Sequence, residues 1–248
     1  MGAVYVMWLR QLIRYWRTRS RIVGSLAQPI LFLVALGFGL GPIYSKAGGG
    51  DYIQFLAPGI IGMSILFTAM FSGMEVIWDR QLGFLKETLV SPSSRIRIFI
   101  GRTLGGATVA LIQGVILFLI TLIIGFRPAS LALLPLAFLF MFLLAYVFTA
   151  LGTALASKVE DMQAFPLIMN FIIMPIFFLS GAIFPLESAQ GTIKTIALLD
   201  PLSYQIDALR QLLTGASHFG LIIDFSVTII CVILVTILGI YLFNRVEV

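Results

Sequence analysis

The sequence predicts an all-α polytopic membrane protein, and three observations predict it. Apolar residues make up 60% of the 248 positions and charged residues only 11%, where soluble domains average about 25% charged. Six windows stay apolar for the ~20 residues that a membrane helix needs; they lie at about 23–43, 54–78, 98–125, 131–156, 163–181 and 221–243. Strand-like alternation over ten-residue segments is absent, which argues against a β-barrel. The chain therefore reads as one transmembrane domain, 1–248, with no soluble domain attached.

The basic residues predict how it sits. Arg10, Arg14, Arg17, Arg19 and Arg21 precede span 1, and Arg80, Lys86, Arg95, Arg97 and Arg102 lie between or just inside spans 2 and 3. With Lys158 and Arg245 these make twelve on one side, against Lys46, Arg127, Lys194 and Arg210 on the other. The positive-inside rule puts both termini and the segment between spans 2 and 3 in the cytosol. The net charge of +5 then reflects orientation and anionic lipid, not nucleic acid.

Each element follows in order. Residues 1–22 predict an interfacial helix, in which Val4, Trp8, Leu12 and Tyr15 recur near helical spacing and arginines fill another stripe. It serves either as a basic anchor or as a gate feeding span 1. Span 1 carries Pro29 and a Gly37/Gly41 pair, a weak signal for close helix approach. FRPAS joins spans 3 and 4 outside, and SKVED joins spans 4 and 5 inside. After span 5, residues 180–220 are too polar to cross and too apolar to be a free linker. Within them Asp200-Pro201, followed by Leu202, Ile206, Leu209 and Leu213, predicts a capped amphipathic helix. No cleavable signal peptide is evident, and span 1 is expected to stay.

Absent chemistry narrows the function. The one histidine, His218, and the one cysteine, Cys231, cannot build the common zinc sites. No lysine follows a glycine, so the chain lacks a phosphate-binding loop. The ionisable groups inside the spans are Glu75, Arg102 and Asp224. Each lies near a span end and is expected to snorkel; Glu75 and Arg102 could pair or be solvated separately. A missing midplane charge disfavours an ion-coupled carrier, which with a passive channel is the alternative reading. A membrane-embedded enzyme would need carboxylates, His or Ser/Lys clustered at one depth, and none is found.

Two motifs carry a resemblance. WDRQLGFLKETLVSPSSR, residues 78–95, separates spans 2 and 3. Leu82, Leu85 and Leu89 predict one apolar edge of a short helix that Pro92 ends, and Ser93 or Ser94 can cap the next span. The second stretch is LSGAIFPLES, then LLDPLSYQIDALRQLLTG. Trp78, Asp79, Arg80, Gly83, Leu85, Leu89, Ser91, Pro92 and Arg95 in the first, and Ser180, Gly181, Phe184, Pro185, Pro201, Leu202, Tyr204, Asp207 and Arg210 in the second, resemble the ABC-2 type permeases. These are membrane subunits of ATP-binding-cassette exporters. Gln81 and Lys86 depart from acidic positions of that pattern, Glu87 supplies an acid one place later, and Asp200 replaces a common asparagine.

The resemblance implies that Asp79, Arg80, Gly83, Leu85, Glu87, Leu89 and Pro92 form a cytosolic coupling helix docking on a separate ATPase subunit. It also implies that Gly181, Phe184, Pro185, Pro201, Asp207 and Arg210 form an extracellular re-entrant segment. Further implications are a second permease copy, ATP and magnesium used by the partner subunit with no cofactor bound by this chain, and export of a hydrophobic or amphiphilic substrate across a prokaryotic cell membrane.

Overall fold

A computed structural model describes residues 2–46, 48, 50–91, 93–159, 161–186 and 191–246. All the regular structure among them is helical: α1 (Ala3–Arg17), α2 (Arg19–Lys46), α3 (Tyr52–Gln81), α4 (Phe84–Val90), α5 (Arg95–Ile124), α6 (Leu134–Lys158), α7 (Ala164–Ile168), α8 (Met174–Leu179), α9 (Thr192–Leu199), α10 (Pro201–Thr214) and α11 (Leu221–Asn244). Five stretches are long and apolar enough to cross a membrane: Ile22–Lys46 of α2, α3, α5, Leu131–Lys158 containing α6, and α11. The expected fifth span is a shorter apolar rod, Ala164–Leu179. A π-turn at Met169–Ile173 joins its halves.

Helix α3 is the axis of the bundle. Of its most apolar window 83% is buried, against 17% for α2 and 11% for α11. It packs against α6, α5, α2 and α10, and its buried Leu56, Ile60, Ile61, Met63, Ile65 and Leu66 form the core's centre. The bare apolar faces of α2 and α11 are what lipid-facing helices present, since hydrocarbon tails cover them at no hydrophobic cost.

Helix α1 is packed more intimately than an interfacial anchor requires. It lies along α5, where Gly101 and Gly105 leave room for its backbone; a Cβ on Gly101 would sit 2.7 Å from the Val4 carbonyl oxygen. The Trp8 indole donates to Thr108 Oγ1 at 3.0 Å, and Gln11 and Tyr15 are buried. Tyr5, Val6, Ile13 and Trp16 stay exposed on the other face. The tighter close-approach pair is thus on α5. Of the Gly37/Gly41 pair on α2, a Cβ at Gly37 would lie 3.3 Å from Ile53 Cγ1 of α3, while one at Gly41 would meet nothing within 4 Å.

Snorkelling is overturned. Glu75, Arg102 and Asp224 are 6%, 3% and 0% exposed, so the bundle takes these charges inside.

Candidate functional site

The two motifs occupy opposite ends of α3, whose 30 residues span about 45 Å at 1.5 Å per residue. At its C-terminal end the chain reverses through Gly83, whose φ of +79° is a left-handed conformation that costs glycine no Cβ clash. Helix α4 follows. Seven residues are too few to be helical in isolation, so tertiary packing must hold them. Leu85 supplies that hold: it is fully buried in the core cluster.

That placement corrects the expected docking edge of Leu82, Leu85 and Leu89. Leu85 turns inward, because a helix this short needs an anchoring side chain. The exposed apolar groups here are Leu82, Phe84 and Val90, beside exposed Lys86 and Glu87. The Leu89 side chain and Pro92 lie outside the described residues. Ser94 is the cap of α5, accepting from the Arg97 amide at 3.4 Å.

Asp79, expected near the start of the coupling helix, lies in the last turn of α3, 2% exposed. Its Oδ2 accepts from Arg102 Nη2 at 2.6 Å, and its Oδ1 faces Arg10 Nη2 at 3.0 Å and Arg14 Nη1 at 3.4 Å. Arg14 also lies 3.6 Å from Glu75 Oε2. One carboxylate therefore ties α3 to α5 and, through two arginines, to α1. Pairing of this kind makes a buried charge tolerable, and removing one member leaves the others uncompensated. Arg80 closes a different joint, donating to the Ser157 and Val159 carbonyls at 2.9 and 3.3 Å, where α6 runs out of helical partners. Arg95 donates to the Asn244 and Val246 carbonyls at 2.7 and 3.0 Å, fixing the end of α11.

Sequence reasoning missed Arg10, Arg14 and Arg102 as partners of Asp79. The available signals were the four-residue spacing of Arg10 and Arg14, which puts both on one face of α1, and the need of an intramembrane Arg102 for a counter-charge. It also missed the chain of hydrogen bonds from Tyr15 Oη to Gln113 Oε1 and from Gln113 Nε2 to Ser25 Oγ, which joins α1, α5 and α2.

Beside the ion cluster lies a cavity of about 520 Å³, walled by α1, α2 and α3. Arg14, Glu75 and Gln28 supply polar atoms, and Phe67, Phe71 and Trp78 supply an aromatic wall. It follows α3 from Met63 to Trp78, about 22 Å of helix.

At the other end of α3 the second motif folds onto itself. Gly59 admits the chain so closely that a Cβ there would lie 2.0 Å from the Ala182 carbonyl oxygen. Tyr52 Oη donates to the Ile183 carbonyl at 3.0 Å. Arg210 Nη2 donates to the Gly181 carbonyl at 2.8 Å, and its guanidinium carbon sits 4.1 Å from the centroid of the Phe55 ring, a favourable cation–π placement. Gly181 and Arg210 are thus brought into direct contact. Phe184 is exposed and Pro185 half-buried.

Asp200 caps α10, accepting from the Leu202 amide at 2.9 Å, and Pro201 takes the first helical position, where its missing N–H costs nothing. Leu202, Ile206, Leu209 and Leu213 are all buried, as the predicted amphipathic face requires. Burial pushes the Asp200 carboxyl up to about 7, against the opposing pull of the Leu202 amide and the Ser203 hydroxyl. Asp207 accepts from the His218 and Phe219 amides at 2.9 and 2.8 Å and so fixes the turn into α11. Tyr204 stacks on Phe219 with centroids 4.5 Å apart.

A bundle of long apolar helices, with charges buried in pairs and a short exposed helix at one end, is that of a polytopic membrane protein built around a cavity. The chain belongs to the ABC-2 type transporter family, whose description matches residues 2–214, and it is a transport permease of that family. It is 28% identical over 214 residues to Nodulation protein J of Rhizobium leguminosarum bv. trifolii, covering 84% of this chain and 80% of the relative. It is 25% identical over 245 residues to Nodulation protein J of Sinorhizobium fredii, covering 97% and 90%. A transport permease of Pyropia yezoensis, ycf38, is 30% identical over 214 residues, covering 84% and 72%.

Proposed function

We propose that this permease is the membrane subunit of an ATP-driven exporter whose ATP is hydrolysed by a separate ATP-binding-cassette subunit, and that α4 is where that subunit docks. One observation carries the reading: Leu82, Phe84 and Val90 are exposed on and beside a short helix whose Leu85 is anchored in the core. A projecting apolar edge flanked by Lys86 and Glu87 suits a groove on a soluble partner. The joints at Asp79 and Arg80 bind this end of α3 to α1, α5 and α6, so a push on α4 reaches several helices together.

In this reading both termini and α4 face the cytosol, the Gly181–Arg210 clasp faces outward, and two permease copies pair with two ATPases. Six crossings are counted by including the Ala164–Leu179 rod. The cavity between α1, α2 and α3 receives the substrate from the inner leaflet. Its aromatic wall and the polar group at Arg14 suit an amphiphile, such as a lipid or a lipid-linked glycan, or a hydrophobic drug. ATP and magnesium belong to the partner subunit.

The test is co-purification of tagged permease in mild detergent, with co-purifying chains identified by mass spectrometry. Wild type is expected to bring down an ATP-binding-cassette ATPase, and Phe84→Asp to lose it while keeping the wild-type melting temperature. An ATPase retained undiminished by Phe84→Asp sinks the docking role of α4. Wild type with no ATPase under stabilising conditions sinks the exporter reading in favour of a carrier or channel. Leu85→Asp is the poorer probe, since it buries a charge.

A further inference from the structure

The ion cluster at the α4 end of α3 is unbalanced. Among the described residues, three guanidinium groups, Arg10, Arg14 and Arg102, face two carboxylates, Asp79 and Glu75, through contacts of 2.6 to 3.6 Å. That leaves an excess of one positive charge. Arg102 is sealed at 3% exposed, and Arg10 is not part of the cavity wall. Arg14 does line the cavity, and 32% of its side chain stays exposed, against 8% for Glu75. It meets both carboxylates through Nη1, and a guanidinium carries five N–H donors, so it keeps others for a ligand. The excess charge is therefore offered to the cavity by Arg14.

The cavity is polarised along its length. Arg14, Glu75 and Trp78 line one end, and Met63 and Phe67 line the other, about 18 Å away along α3. Trp78 is exposed at the charged end, where an indole suits the headgroup level of a bilayer. The Tyr15, Thr18 and Ser25 hydroxyls of the wall are already spent, on Gln113, the Arg14 carbonyl and the Ile22 carbonyl. Past Arg14 the α3 wall turns apolar, through Phe71 and Phe67 to Met63. The volume of about 520 Å³ lies within the range of about 300–1,000 Å³ that small-molecule sites occupy.

We propose that this cavity takes an anionic amphiphile, with a phosphate or carboxylate head on Arg14 and its chain laid along Phe71 and Phe67 towards Met63. Arginine is the side chain best matched to such oxyanions, which it can hold through two parallel N–H bonds. One excess charge matches one anionic head, and the apolar end gives the chain a lining like the one it leaves in the bilayer. A cationic head is repelled by the excess charge and finds Glu75 nearly covered. The inference rests on the cavity being the substrate site of the exporter proposed above, and it narrows that substrate to a negatively charged class.

Purified permease in an uncharged detergent is melted at neutral pH with single-chain probes of equal chain length: lysophosphatidic acid, lysophosphatidylcholine and an alkylamine. Glycerol 3-phosphate supplies the head without a chain. Lysophosphatidic acid is expected to give a saturable rise in melting temperature, as a ligand bound by the folded state produces. Its half-saturating concentration should lie at least about tenfold below that of lysophosphatidylcholine, and glycerol 3-phosphate should give no rise. Arg14→Lys should keep the preference and Arg14→Gln should lose it. Gly24 lines the cavity, and a Cβ there would meet nothing within 4 Å. Gly24→Phe therefore fills the space without touching the ion cluster; it should weaken lysophosphatidic acid at least about tenfold, and it serves even where Arg14→Gln fails to fold. Equal half-saturation by lysophosphatidic acid and lysophosphatidylcholine overturns the proposal, as does tighter binding of the alkylamine. So does a glycerol 3-phosphate response equal to that of lysophosphatidic acid, or undiminished binding of lysophosphatidic acid by Arg14→Gln or Gly24→Phe. No ATPase takes part in this binding. An ATPase that co-purifies while lysophosphatidic acid shows no preference sinks this inference alone, and a preference in a permease that brings down no ATPase sinks the exporter reading and keeps the site.

Discussion

The two ends of α3 bury charge by different means. At the α4 end, the buried carboxylates are neutralised by side chains, Asp79 by Arg102, Arg10 and Arg14, and Glu75 by Arg14, while Arg80 alone of the α3 charges there takes backbone carbonyls. At the α10 end, side chains meet backbone: Arg210 takes the Gly181 carbonyl, and Asp207 takes the amides of two successive residues. Ion pairs join separate helices that can part as units. Backbone contacts fix the path of one continuous segment. In the proposed exporter, the first arrangement suits an end that passes on motion, and the second an end that holds its shape.

The comparison can be broken most severely at Asp79. Asp79→Ala strands Arg102, 3% exposed, without its counter-charge, and a broken buried pair costs about 3–5 kcal/mol. Thermal melting in detergent should register that loss, and Asp79→Ala with Arg102→Leu should recover part of it. Recovery of nothing would mean that Arg10 and Arg14, not Arg102, are the partners that matter.

Next comes pH. The Asp200 carboxyl is raised from 3.8 to about 7 in the fold, so the folded state holds a proton that the unfolded chain releases. Its contribution is full below about pH 4 and is lost as pH rises through about 7, at up to 1.36 kcal/mol per unit. Wild type should therefore lose stability across that window, relative to Asp200→Asn, which can keep the cap without titrating. Parallel melting curves for the two proteins across pH 4–7 would count against a buried, proton-holding Asp200.

Asp207→Ala removes a charged acceptor from the turn into α11, worth roughly 1.5–3 kcal/mol. Hydrogen exchange should speed up at the His218 and Phe219 amides and stay unchanged around Asp79. The smallest effect is expected at Tyr15→Phe, which deletes one hydrogen bond to Gln113, about 1 kcal/mol. A double-mutant cycle with Gln113→Leu should show coupling of that order, and none with Asp207→Ala.

Legibility followed the kind of information each feature needs. Composition and window length announce long apolar helices, because the bilayer is a one-dimensional constraint on sequence. The α10 helix was legible in detail: its Asp cap, its proline and its four inward residues are all local signals. Leu85 was read on the right edge of α4 but on the wrong side of the chain's surface, since periodicity groups residues on a face without saying what covers it. Asp79 was found by resemblance, yet its partners lie 23 to 69 residues away and only the packing of α1 onto α5 brings them together. Asp224 sits near a span end where a carboxylate ordinarily reaches water, and its full burial is a tertiary fact.

The Ala164–Leu179 rod has a consequence for the surrounding lipid. Its 16 residues reach about 24 Å, while a bilayer's hydrocarbon layer is about 30 Å thick. A crossing built on this rod is short by roughly one helical turn, and the deficit must be met by compressed acyl chains or by the neighbouring protein. Where acyl chains meet it in the proposed exporter, the membrane beside the rod is thinned, and an amphiphile leaving the bundle there has a shorter path to the opposite interface.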